Sequence, residues 1–192
     1  MKPIFTIHAG EYLVAAEIEK TLKEVTVWLP SKDTGIDLLL TDKSNKKTTS
    51  LQVKFSKDFN TTHAKENLRQ NIKGTGWWTL NKEKIENSQA DYWVFIIYSL
   101  ERKTHDYIII EPQKLLDIFK TLKRTNKTLH CYFTVTTENK AFETRGLKKK
   151  EMKELYEGTY TNKERDVTTF LNNWKQITDS IVTGKQIGRA HV

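Results

Sequence analysis

Short apolar or alternating runs, none longer than a few residues, recur along this chain with polar turns between them. Val25–Leu29 is rich in strand-forming residues and ends at Pro30, and Ile36–Thr41 is apolar enough for a strand buried on both faces. Thr49–Ser56 alternates between apolar and polar side chains, with the polar turn Asp42–Lys47 before it. This pattern predicts a sheet and excludes a transmembrane helix, which needs a much longer apolar run.

Helical spacing separates the predicted strands, which favours an α/β fold with a mixed sheet. The later strands are predicted at Tyr92–Tyr98, Tyr107–Ile110 and Leu129–Val135. The helices are predicted at Gly10–Lys23, Asn60–Asn71, Asn81–Asn87, Pro112–Lys123, Leu147–Tyr156 and Val167–Thr178. The segment Gly74–Leu80, with its two adjacent tryptophans, is expected to be irregular.

The length of 192 residues predicts a single domain over residues 1–180, followed by a tail at 181–192. Hydrophobic residues make up only 37% of the chain, but 8 Phe, 7 Tyr and 5 Trp supply enough apolar area for a core. The last six residues, 187–192, show no periodicity and match one reading frame of a common sequencing adapter. We therefore expect residues 187–192 to be a non-native read-through.

The cysteine count and the N-terminus restrict the class of protein. Cys131 is the only cysteine, so an internal disulfide and a cysteine-based zinc site are excluded. Its apolar neighbours predict a small buried residue. The N-terminal residues lack the apolar segment of a signal peptide. A cytoplasmic protein without a membrane partner is the expectation.

The formal net charge of +8 is concentrated in the last third of the chain, where residues 120–192 carry 15 basic and 8 acidic side chains. Lys123 and Arg124 belong to one basic cluster, and Lys148, Lys149 and Lys150 to another. Clustered basic residues suit a phosphate backbone, so these five residues are candidates for binding nucleic acid. The alternative is a solvated helix face whose lysines interact with the helix dipole.

Three polar residues of neighbouring strands are the candidates for chemistry. Asp37 follows Gly35 near the start of one predicted strand, while Gln52 and Lys54 share one face of the next. The six-residue turn between the strands predicts a hairpin that places Asp37 across from Gln52 and Lys54. A carboxylate and an amide oxygen can ligate Mg²⁺, and a nearby ammonium can position the attacking water during phosphodiester cleavage.

A purely structural interpretation of the same residues stays open. In that alternative Asp37 caps a turn, and Gln52 and Lys54 form the solvent-exposed face of an edge strand. Ser56 either contacts phosphate on that face or fills the strand. Trp77 and Trp78 either stack on bases or pack in the core.

This arrangement resembles the PD-(D/E)XK nuclease superfamily, which has the restriction-endonuclease-like fold. The resemblance covers roughly residues 8–110, in the order helix, strand, Gly-x-Asp strand, Gln-x-Lys strand, helix, strand. Asp37 and Lys54 match the motif, and Gln52 departs from it by replacing the usual acidic residue. Glu11, at the start of the first helix, resembles a further acidic ligand of the family.

The resemblance implies a three-layer α/β/α fold with a central mixed sheet and, in this chain, extra C-terminal helices. It also implies an Mg²⁺-dependent (or Mn²⁺-dependent) endonuclease acting on DNA, with Glu11, Asp37 and Gln52 as metal ligands and Lys54 as a catalytic residue. Many nucleases of this fold are dimers, so a homodimer is one option. A nucleic-acid-binding module that keeps the fold without catalysis is the main alternative, and a protein-interaction domain is a third.

Overall fold

The computed structural model describes residues 9–31, 35–56, 70–99 and 102–183. The helices of these segments are α1 (Ala9–Thr21), α2 (Lys82–Glu86), α3 (Pro112–Thr121), α4 (Lys149–Tyr156) and α5 (Lys175–Thr183). The strands are β1 (Val25–Trp28), β2 (Leu38–Asp42), β3 (Thr48–Ser56), β4 (Ile72–Asn81), β5 (Tyr92–Ser99), β6 (Thr104–Ile110), β7 (Thr128–Thr136) and β8 (Ala141–Glu143). The predicted α/β class with a mixed sheet is confirmed.

The larger sheet has five strands in the order β1-β2-β3-β5-β6. Strands β1, β2 and β3 form an antiparallel meander, β3 runs parallel to β5, and β6 returns antiparallel to β5. The predicted hairpin is confirmed, because β2 pairs with β3 across the polar turn, with Leu38 opposite Leu51. Strand β3 is therefore an interior strand, and this contradicts the alternative that placed Gln52 and Lys54 on a sheet edge.

The smaller sheet contains β4, β7 and β8, all antiparallel. Our expectation of an irregular Gly74–Leu80 segment was wrong, because this segment forms most of β4 and pairs with β7. Gly76, which made this segment look unlike a strand, is required by the packing of Trp78. A Cβ at this position would lie 2.2 Å from the Trp78 ring, so the strand needs a glycine where the indole packs.

Helices α1 and α5 cover one face of the five-stranded sheet. Val14 and Ile18 of α1 and Ile177 of α5 are buried in one cluster with the apolar side chains that β2, β3, β5 and β6 direct to that face. The hydroxyl groups of Thr49 and Ser180, 3.0 Å apart, also join β3 to α5. This face is apolar because both helices exclude water from it.

The opposite face of the five-stranded sheet packs against the smaller sheet together with α2 and α3. Phe95 of β5 lies between Trp78 and Phe133, with ring centroids 5.0 and 5.3 Å away, respectively. Leu115 and Phe119 of α3 belong to the same buried cluster. The predicted layer of helices on this side is therefore only partly observed, since a three-stranded sheet supplies much of the cover.

Two further predictions near the C-terminus need correction. The single helix expected at Val167–Thr178 is instead a 3-10 turn at Thr168–Phe170, followed by α5. The turn is held by Val167 and Thr168, which hydrogen-bond to Ala141 of β8, a strand that we did not predict. Helix α5 continues to Thr183, beyond Thr178, where the predicted helix ended.

Some predictions lie outside the described residues. They include nearly all of the Asn60–Asn71 helix and the tail segment 187–192. Within the described residues, no helix combines the length and the apolar composition that crossing a bilayer requires.

Candidate functional site

The β2–β3 hairpin places Asp37 beside the segment of β3 that contains Gln52. The Asp37 N–H donates to the Leu51 carbonyl at 2.8 Å, and the Asp37 Oδ2 atom accepts a hydrogen bond from the Val53 N–H at 2.6 Å. The carboxylate thus accepts a hydrogen bond that a main-chain carbonyl would accept in a regular sheet, at the residue just before β2 begins. This bond has a structural role that differs from the turn cap considered above, and it fixes the carboxylate at the residue between Gln52 and Lys54.

Lys54 is held over the indole of Trp93, with its Nζ atom 5.1 Å from the ring centroid. Trp93 is 2% exposed, and its Nε1–H donates to the Ser88 hydroxyl at 2.8 Å, so the ring is fixed. A cation over an indole face is attracted by the ring quadrupole. Lys54 is only partly exposed, and this contact restricts its ammonium to the side of the sheet that faces the smaller sheet.

Gln52 lies on the wall of a cavity of about 650 Å³ between the hairpin and α2. The lining residues are Gly35, Gln52, Asn81, Glu83, Lys84, Asn87, Ser88 and Gln89. Asn81 caps α2, its side-chain oxygen accepting from the Lys84 N–H at 3.2 Å. Helix α2 thereby brings a carboxylate, Glu83, to the cavity that Gln52 lines.

Sequence reasoning missed Glu83. The helix at residues 81–87 is predicted correctly, but it lies thirty residues after Gln52, and no local pattern places the two together. The signal that could have found it is the N-cap Asn81, which fixes where α2 begins. Glu83 supplies the cavity with negative charge, whereas Gln52 supplies only an amide.

Glu11 approaches the same part of β3 from the opposite face of the sheet. It lies in the first turn of α1, next to Gly10, which packs closely on β3. A Cβ on Gly10 would lie 3.0 Å from the Phe55 Cβ atom and 3.4 Å from the Val53 Cγ1 atom. The glycine thus lets the first turn of α1, which contains Glu11, pack closely on β3 near Lys54. The Lys54 side chain, however, points to the opposite face of the sheet.

The donor set of the predicted metal site contains only oxygen atoms, which suits Mg²⁺. An ionised carboxylate has about four lone-pair positions, so the hydrogen bond from Val53 does not prevent Asp37 from ligating a metal. Within residues 9–31, 35–56, 70–99 and 102–183, no group of three or more His, Cys, Asp or Glu side chains is arranged to hold a metal ion. Any site built on Asp37 therefore depends on the amide of Gln52.

A second aspartate makes the same kind of contact with β3 in a different cavity. The Asp91 Oδ2 atom accepts hydrogen bonds from the Ser50 N–H at 2.7 Å and from the Ser50 hydroxyl at 2.8 Å. These residues line a cavity of about 630 Å³ on the other side of the loop that contains Ser88 and Gln89. Asp91 is thus a structural counterpart of Asp37, but the residue after Ser50 is Leu51, whereas Lys54 follows Val53.

Arg124, a candidate for binding nucleic acid, lies in an internal ion-pair cluster. Its two terminal nitrogens contact the two carboxylate oxygens of Glu143, each at 2.7 Å, and Arg165 contacts the same carboxylate at 3.0 Å. The Glu143 side chain is fully buried. Arg124 therefore neutralises a buried charge, an arrangement that costs much free energy to disrupt.

The other basic candidates are exposed. Lys123 follows α3 with a positive φ of 56°. Lys148, Lys149 and Lys150 begin α4, where the Lys148 N–H donates to the Glu151 carboxylate at 2.8 Å. Lys150 approaches Glu154 at 3.9 Å, a weak surface pair. These lysines are thus accessible to solvent, in contrast to Arg124.

The paired tryptophans have opposite environments. Trp78 is 6% exposed and packs against Phe95 and Phe133, whereas Trp77 is 41% exposed on the outward face of β4. Cys131, on the inward face of β7, is fully buried, and this desolvation raises the pKa of its thiol. The prediction of a small buried cysteine is confirmed.

Comparisons of the chain with protein-family models, with curated proteins and with solved structures found no match.

Proposed function

We propose that this protein is a metal-dependent nuclease that hydrolyses phosphodiester bonds in DNA, with a restriction-endonuclease-like core. The observation that carries the proposal is the hydrogen bond from the Val53 N–H to Asp37, which places the carboxylate at the segment of β3 that holds Gln52 and Lys54, with Gln52 lining an open cavity. The described elements α1, β1, β2 and β3 follow the order of the resemblance, whereas β4 comes between β3 and α2.

The proposed roles follow from the placement of each residue. Asp37 and Gln52 would hold an Mg²⁺ or Mn²⁺ ion, which when bound lowers the pKa of a coordinated water and neutralises developing charge on the phosphate. The hydrogen bond from Val53 keeps the Asp37 carboxylate in one orientation before substrate arrives. Because the carboxylate is already oriented, less free energy is needed to rearrange it during the reaction.

Lys54 would position the attacking water and stabilise the negative charge that builds up on the phosphoryl oxygens. Its ammonium is oriented by the indole of Trp93, which Ser88 fixes in turn. Trp93 is therefore a positioning residue that acts through Lys54. DNA is the proposed substrate because its backbone would contact the exposed lysines at 148–150.

The direct test is nicking of supercoiled plasmid in Mg²⁺ or Mn²⁺ by the purified chain and its variants. Lys54→Ala is expected to lower the nicking rate by at least about a hundredfold, the scale of losing one preorganised charge-stabilising group. Lys46→Ala, an exposed lysine in the turn of the same hairpin, is the matched control and should cleave like the original chain. Equal cleavage by the two variants would remove Lys54 from the site.

The neutral amide of Gln52 favours a second candidate function, a nucleic-acid-binding module without catalysis. Metals held by fewer carboxylates bind more weakly, and the described residues contain no group of three acidic, histidine or cysteine ligands. Isothermal titration with Mn²⁺ separates the two functions. Heat of binding that disappears in Asp37→Asn supports the nuclease, whereas retained DNA affinity without metal binding supports the module.

A further inference from the structure

We propose that the outward face of the smaller sheet binds single-stranded DNA, with the Trp77 indole as a platform on which an unpaired base stacks. The face is defined by Trp77, His130, Tyr132 and Arg145, and we call it the stacking face. The inference deepens the proposed function, on which the choice of DNA rests, because it names the form of the substrate.

The stacking face presents aromatic rings in register across two strands. Trp77 of β4 lies opposite Tyr132 of β7, with ring centroids 5.9 Å apart in an edge-on arrangement. The His130 ring is 6.4 Å from the same indole. Trp77 remains 41% exposed although Trp78 beside it is buried. Unpaired bases stack on such rings irrespective of sequence, because every base has a π face.

The charge of the stacking face is complementary to phosphate. The Arg145 guanidinium lies 5.2 Å from the Tyr132 ring centroid and donates to the tyrosine hydroxyl at 3.1 Å. The exposed lysines at 148–150 follow three residues later. Three cross-strand pairs of β4 and β7 contribute side chains to this face, and none of these side chains is acidic: Thr75, Trp77, Thr79, His130, Tyr132 and Thr134.

The buried ion-pair cluster holds the main chain of Arg145 in place. Its carbonyl oxygen accepts hydrogen bonds from Arg124 at 2.6 Å and from Arg165 at 3.0 Å. Both guanidinium groups are fixed by Glu143, the acidic residue of β8, which is fully buried. This arrangement gives Arg124 a positioning role, because it orients the segment that presents Arg145 beside the aromatic rings.

The stacking face also adjoins the candidate site. The Trp77 N–H donates to the Ser56 hydroxyl at 3.0 Å, and Asn81 lines the same cavity as Gln52. Strand β4 therefore runs beside β3 from Ser56 to Gln52, and Lys54 lies between these two residues of β3. Trp77 and Asn81 are separated by about 13 Å of strand, so a DNA strand on the indole continues toward the cavity. Paired bases are stacked inside a duplex and cannot offer this contact.

The test is fluorescence anisotropy with labelled oligonucleotides of about 12 nucleotides, within the site sizes of single-strand-binding proteins. EDTA is present throughout, so cleavage does not enter the measurement. Trp77→Ala is expected to weaken binding of single-stranded DNA about tenfold or more, the scale of losing one stacked base. Trp28→Ala is the matched control, since Trp28 is 50% exposed on the other sheet, and it should bind unchanged. Circular dichroism melting checks that both variants fold.

Salt titration supplies a second readout. Replacing the lysines at 148–150 by alanine should reduce the dependence of affinity on salt, by a slope of about 0.7 for each phosphate contact that is lost. An unchanged slope would remove these lysines from the binding surface.

Three results would overturn the inference: undiminished binding by Trp77→Ala, equal affinity for a duplex of the same sequence, or tighter Trp77-dependent binding of the matching RNA. Lys54→Ala should lose cleavage whether or not Trp77 contributes to binding, so it tests the proposed function separately. If Trp77 has no effect but Lys54 is needed for nicking, the stacking face is wrong and the proposed function stands.

Discussion

The two sheets differ in whether both of their faces are covered by other parts of the protein. Both faces of the five-stranded sheet are covered, and Gln52 and Lys54 are polar positions of its interior strand β3, with Gln52 lining a cavity. The three-stranded sheet buries one face in the shared core and leaves aromatic and basic groups on much of the other. In the function that we propose, the five-stranded sheet positions the chemistry and the three-stranded sheet holds the substrate.

The sharpest test of this comparison replaces each of the adjacent tryptophans by alanine. Trp78→Ala should lower the free energy of unfolding by about 3–5 kcal/mol, because it empties a packed site between the sheets. Trp77→Ala should lower it by about 1–2 kcal/mol, since much of that ring already contacts water. Urea unfolding followed by circular dichroism measures both. Equal losses would show that the two faces of β4 are not different environments.

The ion-pair cluster at the edge of the smaller sheet can be broken next. Glu143→Gln leaves two guanidinium groups beside a neutral amide, so we expect a loss of about 3 kcal/mol. Glu157→Gln is the matched control, because it removes a partner of Lys153 from an exposed pair on α4 and should cost less than about 1 kcal/mol. Losses of similar size would mean that the cluster is not effectively buried.

The smallest expected effect concerns the hairpin turn of the larger sheet. Hydrogen bonds from the Ser44 hydroxyl and from the Lys47 and Lys46 backbone lower the pKa of the Asp42 carboxyl below its ordinary value of 3.8. A lowered pKa in the folded state stabilises the fold above pH 3.8, and this contribution disappears as pH falls through the folded-state pKa.

The corresponding variant, Asp42→Asn, should therefore melt at a slightly lower temperature than the original chain at neutral pH. The two melting temperatures should converge as the pH is lowered below 3.8. Thermal melts across this range check the prediction. A difference that persists in strong acid would show that the ionised carboxylate is not its source.

Local sequence patterns predicted the part of the candidate site on the β2–β3 hairpin. A short polar turn joins two runs with strand character, and the two-residue side-chain period puts Gln52 and Lys54 on one face. The contact of Asp37 with β3 follows from the same hairpin.

Non-local contacts decided what the sequence did not reveal. Strand β4 was missed because Gly74 and Gly76 weaken a strand pattern, and its partner β7 lies about fifty residues away. The pairing of Arg124 with Glu143 depends on how α3 and β8 pack, so a basic cluster in the sequence does not distinguish an internal ion pair from a binding surface.

The most direct measurement of the central claim compares two aspartates that both accept a hydrogen bond from a β3 amide. Asp37→Asn and Asp91→Asn each keep an acceptor for that amide and remove one negative charge. Plasmid nicking in Mn²⁺ should fall by at least about a hundredfold in Asp37→Asn and stay near the original rate in Asp91→Asn. Nicking by folded Asp37→Asn at the original rate would contradict the assignment of the site.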